Sequence, residues 1–271
     1  DSDFQGWKWT PKEGAVEQIQ ELIADIAHVK LSEDHLRIPD SDIEDINVKL
    51  SAAVMAQYRA LERQLVIQVG DSVIDAQSAA VLIGKLQQMT SGSVYDDESE
   101  HVHLHTAKHA ALAKILAKNQ PVLVLTRYQS EMAAILEAFP QVQKFDEKRM
   151  DDWKAGKIPV WLANPASLSH GIDGIQKSCS TIVWMSLTYS LEQYIQTNAR
   201  ILRTGQDTKA KIYRILAENT VDFVVANALE EKSGNQSALM QAVKMLQRQS
   251  VPTASEPSEK SRDRFDFFSA P

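Results

Sequence analysis

The chain has 271 residues, a formal net charge of −7 and one cysteine, Cys179. This length supports one or two domains with a sizeable core, and a single cysteine excludes an internal disulfide framework and favours a reducing compartment, so the cytoplasm is the expected location. The sequence contains no run of roughly 20 apolar residues of the kind that spans a membrane, and its negative charge argues against coating nucleic acid over the whole surface while still allowing a local basic track.

Residues 1–105 are predicted to be mostly helical and to precede the main domain. Apolar side chains at helical spacing predict a first helix that opens at Pro11 and carries Val16, Ile19, Ile23 and Ile26 on one face. The same spacing predicts a second helix around Val54, Tyr58, Leu61 and Leu65. A third helix is predicted from about Ala76 to Met89, ending at Ser91-Gly92. Between Ile46 and Leu50, apolar and polar residues alternate, which predicts a short half-buried strand.

Residues 106–232 have a different pattern, in which short apolar runs alternate with amphipathic helices. The runs are Val122–Leu125, Val160–Leu162, Ile182–Met185 and Ile212–Leu216. This alternation predicts an α/β domain with a parallel sheet covered by helices on both faces. In such sheets ligands bind beyond the carboxyl ends of the strands. Residues 233–271 are predicted to add one helix and a disordered tail.

The segment from Gln196 to Gln206 carries the clearest chemical signal. Helical spacing places Gln196, Arg200 and Arg203 on one side, with an apolar face opposite formed by Leu191, Tyr194, Ile195, Ile201 and Leu202. Two arginines one turn apart repel each other unless an anion lies in front of them, and guanidinium groups match phosphate oxygens well. Spacing alone leaves open a solvated face, or pairing with carboxylates of a neighbouring element.

The pattern Q-x-x-x-R-x-x-R-x-G-Q resembles motif VI of superfamily 2 helicase-like ATPases, in the variant typical of the Swi/Snf family. The resemblance implies that Arg203 is an arginine finger and Arg200 its companion, both reaching across a cleft to a nucleotide held by another lobe. An arginine finger neutralises charge on the transferring γ-phosphoryl group and typically contributes ~10³ to 10⁵ in turnover.

Two further segments resemble motifs of the same family. The run from Ala163 to Gln176 follows a predicted strand and resembles motif V, which implies that Ser167 and Ser169 approach the DNA backbone. It also implies that Gly171 and Asp173 lie near the ribose and phosphates of the nucleotide. Thr126-Arg127-Tyr128-Gln129 resembles the motif IV region, implying that Arg127 and Gln129 touch DNA. Together with the run from Asp152 to Val160, the motif V and motif VI segments resemble the phage- and prophage-encoded branch. Members of the family generally translocate rather than separate strands, so the resemblance implies a translocase on duplex DNA.

A motor of this kind also needs a phosphate-binding loop of the form G-x-x-x-x-G-K-[ST] and an acidic metal-binding motif. The sequence contains neither, since Gly84-Lys85 lacks the preceding glycine and lies in a helical pattern. We therefore expect a RecA-like second lobe. ATP and Mg²⁺ would be held mainly by an N-terminal first lobe of the same parent chain, and this fragment alone would be inactive. The alternative is a non-catalytic DNA- or protein-binding module.

Other candidate sites are weaker. His101, His103 and His105 alternate along an extended segment, but alternate strand residues lie about 7 Å apart, which is wide for one metal ion, and no cysteine joins them. Cys179 has no adjacent base, and Trp153 is predicted to be a packing residue. For Lys209, Lys211 and Arg214 two interpretations stay open: they follow a phosphate backbone, or they form the solvent side of an edge strand.

Overall fold

The structure is a computed structural model that describes residues 14, 18, 42–69, 76–95, 101–168, 174–200 and 209–230. The chain divides into two compact units, residues 1–40 and 41–271. In the first unit, the amide of Gln18 donates to the carbonyl of Gly14 at 3.1 Å. The sheet and helices below belong to the second unit. The helix and tail predicted over 233–271 lie outside the described residues.

Within the described ranges, six parallel strands form one sheet. They are β1 (Asp42–Val48), β4 (Val122–Leu125), β5 (Val142–Lys144), β6 (Val160–Ala163), β7 (Thr181–Trp184) and β8 (Lys211–Ala217), in the spatial order β1-β8-β7-β4-β6-β5. Two short strands, β2 (Ser93–Tyr95) and β3 (His101–His103), form a separate antiparallel pair. The predicted α/β fold with a parallel sheet is confirmed, and β4, β6, β7 and β8 correspond to the four apolar runs.

Helices connect the strands and cover the sheet. The described part of the chain contains α1 (Ala52–Val69), α2 (Ala76–Ser91), α3 (His109–Lys118), α4 (Gln129–Ala138), α5 (Met150–Lys154), α6 (Leu191–Ala199) and α7 (Val221–Glu230). The helices predicted around Val54 and from about Ala76 are confirmed as α1 and α2. The residues of the helix predicted from Pro11 onward lie outside the described ones, apart from Gly14 and Gln18. Among these helices, none combines the length and the apolar character needed to cross a membrane.

The end of α2 depends on Gly92, which follows the helix with a φ of +103°. A Cβ atom at this position would collide with the backbone carbonyl of His105. The amides of Leu104 and His105 both donate to the Gly92 carbonyl. Glycine is therefore required here both for the left-handed conformation and for the close approach of the chain.

The core lies on both faces of the sheet, because successive strand residues point to opposite sides. On one face Val122 and Val124 of β4 pack with residues of β6, α3 and α4, among them Val160, Leu162, Leu112, Ile115, Met132 and Ile135. On the other face Trp161 of β6 stacks on Trp153 of α5, with ring centroids 4.5 Å apart and planes within 4°. Trp153 is thus a packing residue, as predicted.

Strand β1 covers one edge of β8, with pairs from Asp42–Lys211 to Val48–Ala217. The sheet therefore draws one strand from the range predicted to precede the lobe, while the division at residues 105/106 stays a prediction. Arg214 of β8 is 2% exposed. It binds Asp45 of the neighbouring β1 (Nε–Oδ1 2.5 Å) and Glu230 at the end of α7 (Nη2–Oε1 2.5 Å). Both interpretations of Arg214 were wrong, because β8 is not an edge strand and two carboxylates neutralise the buried guanidinium.

Candidate functional site

The carboxyl ends of the six parallel strands lie along one edge of the sheet, and the segments that resemble motifs IV and V follow two of these strands, β4 and β6. Residues 126–128 follow β4, residues 164–168 follow β6 and residues 185–190 follow β7. Within the sheet β4 lies between β6 and β7. The three loops are therefore neighbours, at the edge where parallel α/β sheets bind ligands.

Asn164 ties the loop after β6 to the loop after β4. Its Nδ2 donates to the backbone carbonyl of Arg127 at 3.0 Å, and its Oδ1 accepts from the amide of Ala166 at 2.9 Å. Its own carbonyl accepts from the hydroxyl of Ser167 at 2.7 Å. The side chain of Ser167 is exposed, as is Gln129 at the first position of α4. Ser169, Gly171 and Asp173 lie outside the described residues.

Arg127 is half-buried and held by the loop after β7. Its amide donates to the Ser186 hydroxyl at 2.9 Å, and its Nη1 donates to the Leu187 carbonyl at 3.4 Å. The guanidinium carbon lies 4.6 Å from the centre of the Tyr189 ring, a cation–π contact. Arg127 is therefore fixed in orientation at the carboxyl edge of the sheet.

Helix α6 carries Gln196 and Arg200. The helix begins at Ser190, whose side chain caps the amide of Gln193 at 3.2 Å. Gln196 is exposed and donates to Glu192 at 2.9 Å, while Arg200 is a half-buried C-cap residue that still has helical dihedrals. Arg203 lies outside the described residues, so the grouping of Gln196, Arg200 and Arg203 on one side stays a prediction.

The buried face of α6 is more polar than the sequence predicted. Its buried residues are Tyr194, Thr197 and Asn198, whereas Leu191 and Ile195 are half-buried. The reason is a specific partner at the end of β7: the indole Nε1 of Trp184 donates to Oδ1 of Asn198 at 3.0 Å, and the Trp184 ring packs on Tyr194 at 5.2 Å. The prediction of an apolar buried face was therefore incomplete, because Thr197 and Asn198 are also buried there.

Beneath the strand ends lies a buried charged cluster that the sequence did not predict. We define the buried polar cluster as Lys108, Glu131, Asp222, Thr90, Thr126 and Ser186. Lys108, 2% exposed, binds Asp222 (Nζ–Oδ2 2.7 Å) and the carbonyl of Met185 (2.7 Å). Asp222 also accepts from Thr90 at 2.7 Å and from the amide of Ala217 at 3.0 Å.

Glu131 completes the buried polar cluster at the start of α4. Its Oε2 accepts hydrogen bonds from the hydroxyls of Thr126 and Ser186, and its Oε1 has no hydrogen-bond partner among the described residues. Burial raises the pKa of Glu131 above its ordinary value of 4.5, against the opposing effects of Lys108 and the two hydroxyl donors. Lys108 and Asp222 form the ion pair of the cluster, and the Glu131 carboxyl group lies buried beside them with a raised pKa.

The raised pKa of Glu131 predicts a specific pH dependence of stability. Because the folded state binds this proton more tightly than the unfolded chain, the stabilisation it contributes is complete below pH 4.5 and is lost as pH rises through the folded-state pKa. Glu131→Gln cannot ionise. The free energy of unfolding of this variant minus that of the wild type should therefore be larger at pH 8 than at pH 5 in urea titrations. Glu137→Gln, at an exposed position on the same helix, is the control. A constant or falling difference for Glu131→Gln would contradict the raised pKa.

The weaker candidates have structural roles in the described residues. Burial lowers the pKa of His105, whose Nε2 lies 2.9 Å from the Met89 carbonyl. Burial raises the pKa of the Cys179 thiol to about 12, so it is protonated near neutral pH. No group of three or more His, Cys, Asp or Glu side chains suited to a metal ion occurs within the described ranges.

Comparisons with known proteins relate the chain to one phage protein and to helicase-type ATPases. No protein-family model matches the sequence. The chain is 34% identical over 209 residues to protein p41 of Acyrthosiphon pisum secondary endosymbiont phage 1. The alignment covers 73% of this chain and 45% of p41. The chain thus spans less than half the length of this relative.

Among solved structures, the C-terminal part of the Fun30 ATPase domain matches with a TM-score of 0.58 and 13% identity, over 78% of this chain and 98% of that one. The Sulfolobus solfataricus SWI2/SNF2 ATPase core in complex with dsDNA matches with a TM-score of 0.54 and 15% identity, over 86% and 56%. The Pyrococcus furiosus Hef helicase domain matches with a TM-score of 0.54 and 14% identity, over 81% and 64%. The chain has a RecA-like α/β fold. At these identities the matches establish the fold alone.

Proposed function

We propose that the chain is the second lobe of a DNA-stimulated ATPase motor of the Swi/Snf type, in its phage- or prophage-encoded branch. The extent of the structural matches carries this proposal. The chain covers 98% of a C-terminal part of one ATPase domain but 56% of an ATPase core in complex with dsDNA. A second lobe is expected to match nearly all of the C-terminal part of an ATPase domain and about half of a complete two-lobe core. The 45% coverage of p41 leaves length for a first lobe in that relative.

The chemistry of the strand-end loops supports a phosphate ligand. The loops after β4, β6 and β7 present an arginine, hydroxyl groups and amides, and in their described residues they carry no acidic side chain. Such groups bind phosphate oxygens, whereas Mg²⁺ in nucleotide sites is bound by carboxylates together with the phosphates. ATP and Mg²⁺ would thus be held mainly by the first lobe, and this lobe would add donors to the phosphate chain.

In the proposed mechanism, closure of the two lobes completes the ATPase site. Arg203 would neutralise developing charge on the γ-phosphoryl group, with Arg200 and Gln196 beside it and Gly171 and Asp173 near the ribose and phosphates. Arg127, Gln129, Ser167 and Ser169 would contact the DNA backbone. Because the same closure brings both sets of residues into place, DNA binding would be coupled to hydrolysis and would move the motor along duplex DNA.

ATP hydrolysis by the full-length gene product, measured with and without duplex DNA, tests this proposal. We expect hydrolysis to be stimulated by duplex DNA that is longer than the stretch contacted by one protein molecule. Duplex binding without any hydrolysis, under conditions where the protein is folded, would instead favour a non-catalytic DNA-binding module. Absence of both activities would leave a protein-binding module as the remaining reading.

A further inference from the structure

Helix α2, which precedes the predicted lobe, is bound to the loop after β4 through residues one helical turn apart. The backbone carbonyl of Gly84 accepts from the hydroxyl of Tyr128 at 3.2 Å. Three residues later, Oε1 of Gln87 accepts from Nη1 of Arg127 at 2.7 Å. Residues three apart share a helix face. Two consecutive residues of the loop are therefore held by one face of α2.

Gln87 uses both ends of its amide and is 0% exposed. While Oε1 accepts from Arg127, Nε2 donates to the carbonyl of Leu187 at 2.9 Å. This one side chain thus connects the loop after β4 with the loop after β7. The two hydrogen bonds require a donor and an acceptor on the same side-chain group. The amide of glutamine has both, whereas a charged glutamate and a methionine have no donor.

The position of Gln87 is itself fixed by the packing of α2. Leu82, Ile83 and Leu86 are buried, and the hydroxyl of Thr90 donates to Asp222 in the buried polar cluster at 2.7 Å. A helix anchored on both sides of Gln87 cannot shift without breaking these contacts. The amide of Gln87 is therefore a rigid support for the Arg127 guanidinium.

Arg127 can keep this support while contacting a further ligand. Its bonds to Gln87 and Leu187 both use Nη1, and a guanidinium carries five N–H donors. The Tyr189 ring, 4.6 Å from the guanidinium carbon, fixes the plane of the group. A cation whose orientation is already fixed loses less conformational freedom when it binds a phosphate.

From these contacts we propose that Gln87 is a positioning residue for DNA binding, which orients the Arg127 guanidinium toward a backbone phosphate and makes α2 part of the DNA-binding machinery. This proposal rests on the proposed function, in which Arg127 contacts DNA. Gln87 acts through Arg127 and does not itself touch DNA.

A double-mutant cycle on DNA affinity tests this role. The equilibrium dissociation constant of the full-length gene product for a fluorescein-labelled duplex is measured for the wild type, Gln87→Met, Arg127→Met and the double variant. We expect each single substitution to weaken binding about 3- to 10-fold, and Gln87→Met to change affinity less than about twofold when Arg127 is already methionine. Gln88→Met, at the adjacent half-buried glutamine, is the matched control and should stay within about twofold of the wild type.

The dependence of affinity on salt provides a readout that does not depend on the folded fraction. Losing one phosphate contact should reduce the slope of log K against log salt by about 0.9. We expect this reduction for Arg127→Met, for Gln87→Met, and for Gln87→Glu, which places a carboxylate against the same guanidinium. The positioning role would be overturned if the effects of Gln87→Met and Arg127→Met on the dissociation constant simply multiply in the double variant. It would also be overturned if both Gln87 variants keep the wild-type slope of log K against log salt. Either result would leave the proposed function intact. A wild type that binds no duplex would overturn both.

Discussion

Arg203→Ala is expected to reduce DNA-stimulated ATP hydrolysis by the full-length gene product at least ~100-fold. The proposed role of Arg203 is to neutralise charge that develops on the γ-phosphoryl group, so its loss should lower kcat more than it raises KM for ATP. Steady-state rates at saturating duplex DNA measure the effect directly. Arg200→Ala, at the companion position, should lower the rate in the same direction.

The matched control for this substitution is Arg149→Ala, since Arg149 is an exposed arginine that binds Asp152 and Gln143 and lies outside the segments that resemble motifs IV, V and VI. It should retain nearly the full wild-type rate. Circular dichroism and the unfolding midpoint of each variant establish that it is folded. An Arg203→Ala protein that hydrolyses ATP as fast as the control would remove the arginine finger from the account.

Lys108→Met should lower the free energy of unfolding by about 3–5 kcal/mol, the typical cost of removing one partner from a buried ion pair. Methionine fills a similar volume, but it leaves the Asp222 carboxylate without its cation and the Met185 carbonyl without its donor. Urea titration of the protein at neutral pH measures the loss.

Lys114→Met supplies the comparison, because Lys114 is exposed on α3, the helix that Lys108 immediately precedes. That variant should change stability by less than about 0.5 kcal/mol. The double variant Lys108→Met/Asp222→Asn should lose less than the sum of its single variants, because the two side chains interact directly. Equal effects of Lys108→Met and Lys114→Met would mean that the buried ion pair does not stabilise the fold.

Much of the fold could be predicted because its signals are local. Strands β4, β6 and β7 are continuous apolar runs buried on both faces, and α1 and α2 follow a helical period. Strand β5 was missed because its three residues include one buried side chain, Val142. The place of β1 at the sheet edge depends on pairing with β8 about 170 residues later, which no local pattern encodes.

At the candidate site, the sequence predicted the residues of the motifs but not the polar side chains that support them. Motif resemblance directed attention to Arg127, Ser167, Gln196 and Arg200, and the structure places these residues in strand-end loops and on α6. The polar side chains that support them could not be found in the same way. Gln87 meets its partners 40 and 100 residues away. Lys108 meets Asp222 across more than one hundred residues, and neither contact leaves a periodic trace in the sequence.

The most direct test of the central claim is trapping of a transition-state analogue at the ATPase site. Full-length protein is incubated with ADP, Mg²⁺, aluminium fluoride and duplex DNA, and the nucleotide retained after gel filtration is measured for the wild type and for Arg203→Ala. We expect the wild type to retain close to one ADP per chain. The variant should bind ADP alone with unchanged affinity but fail to retain it with the fluoride, because the arginine acts in the transition state. Equal retention by both proteins would contradict the claim that this lobe completes an ATPase site.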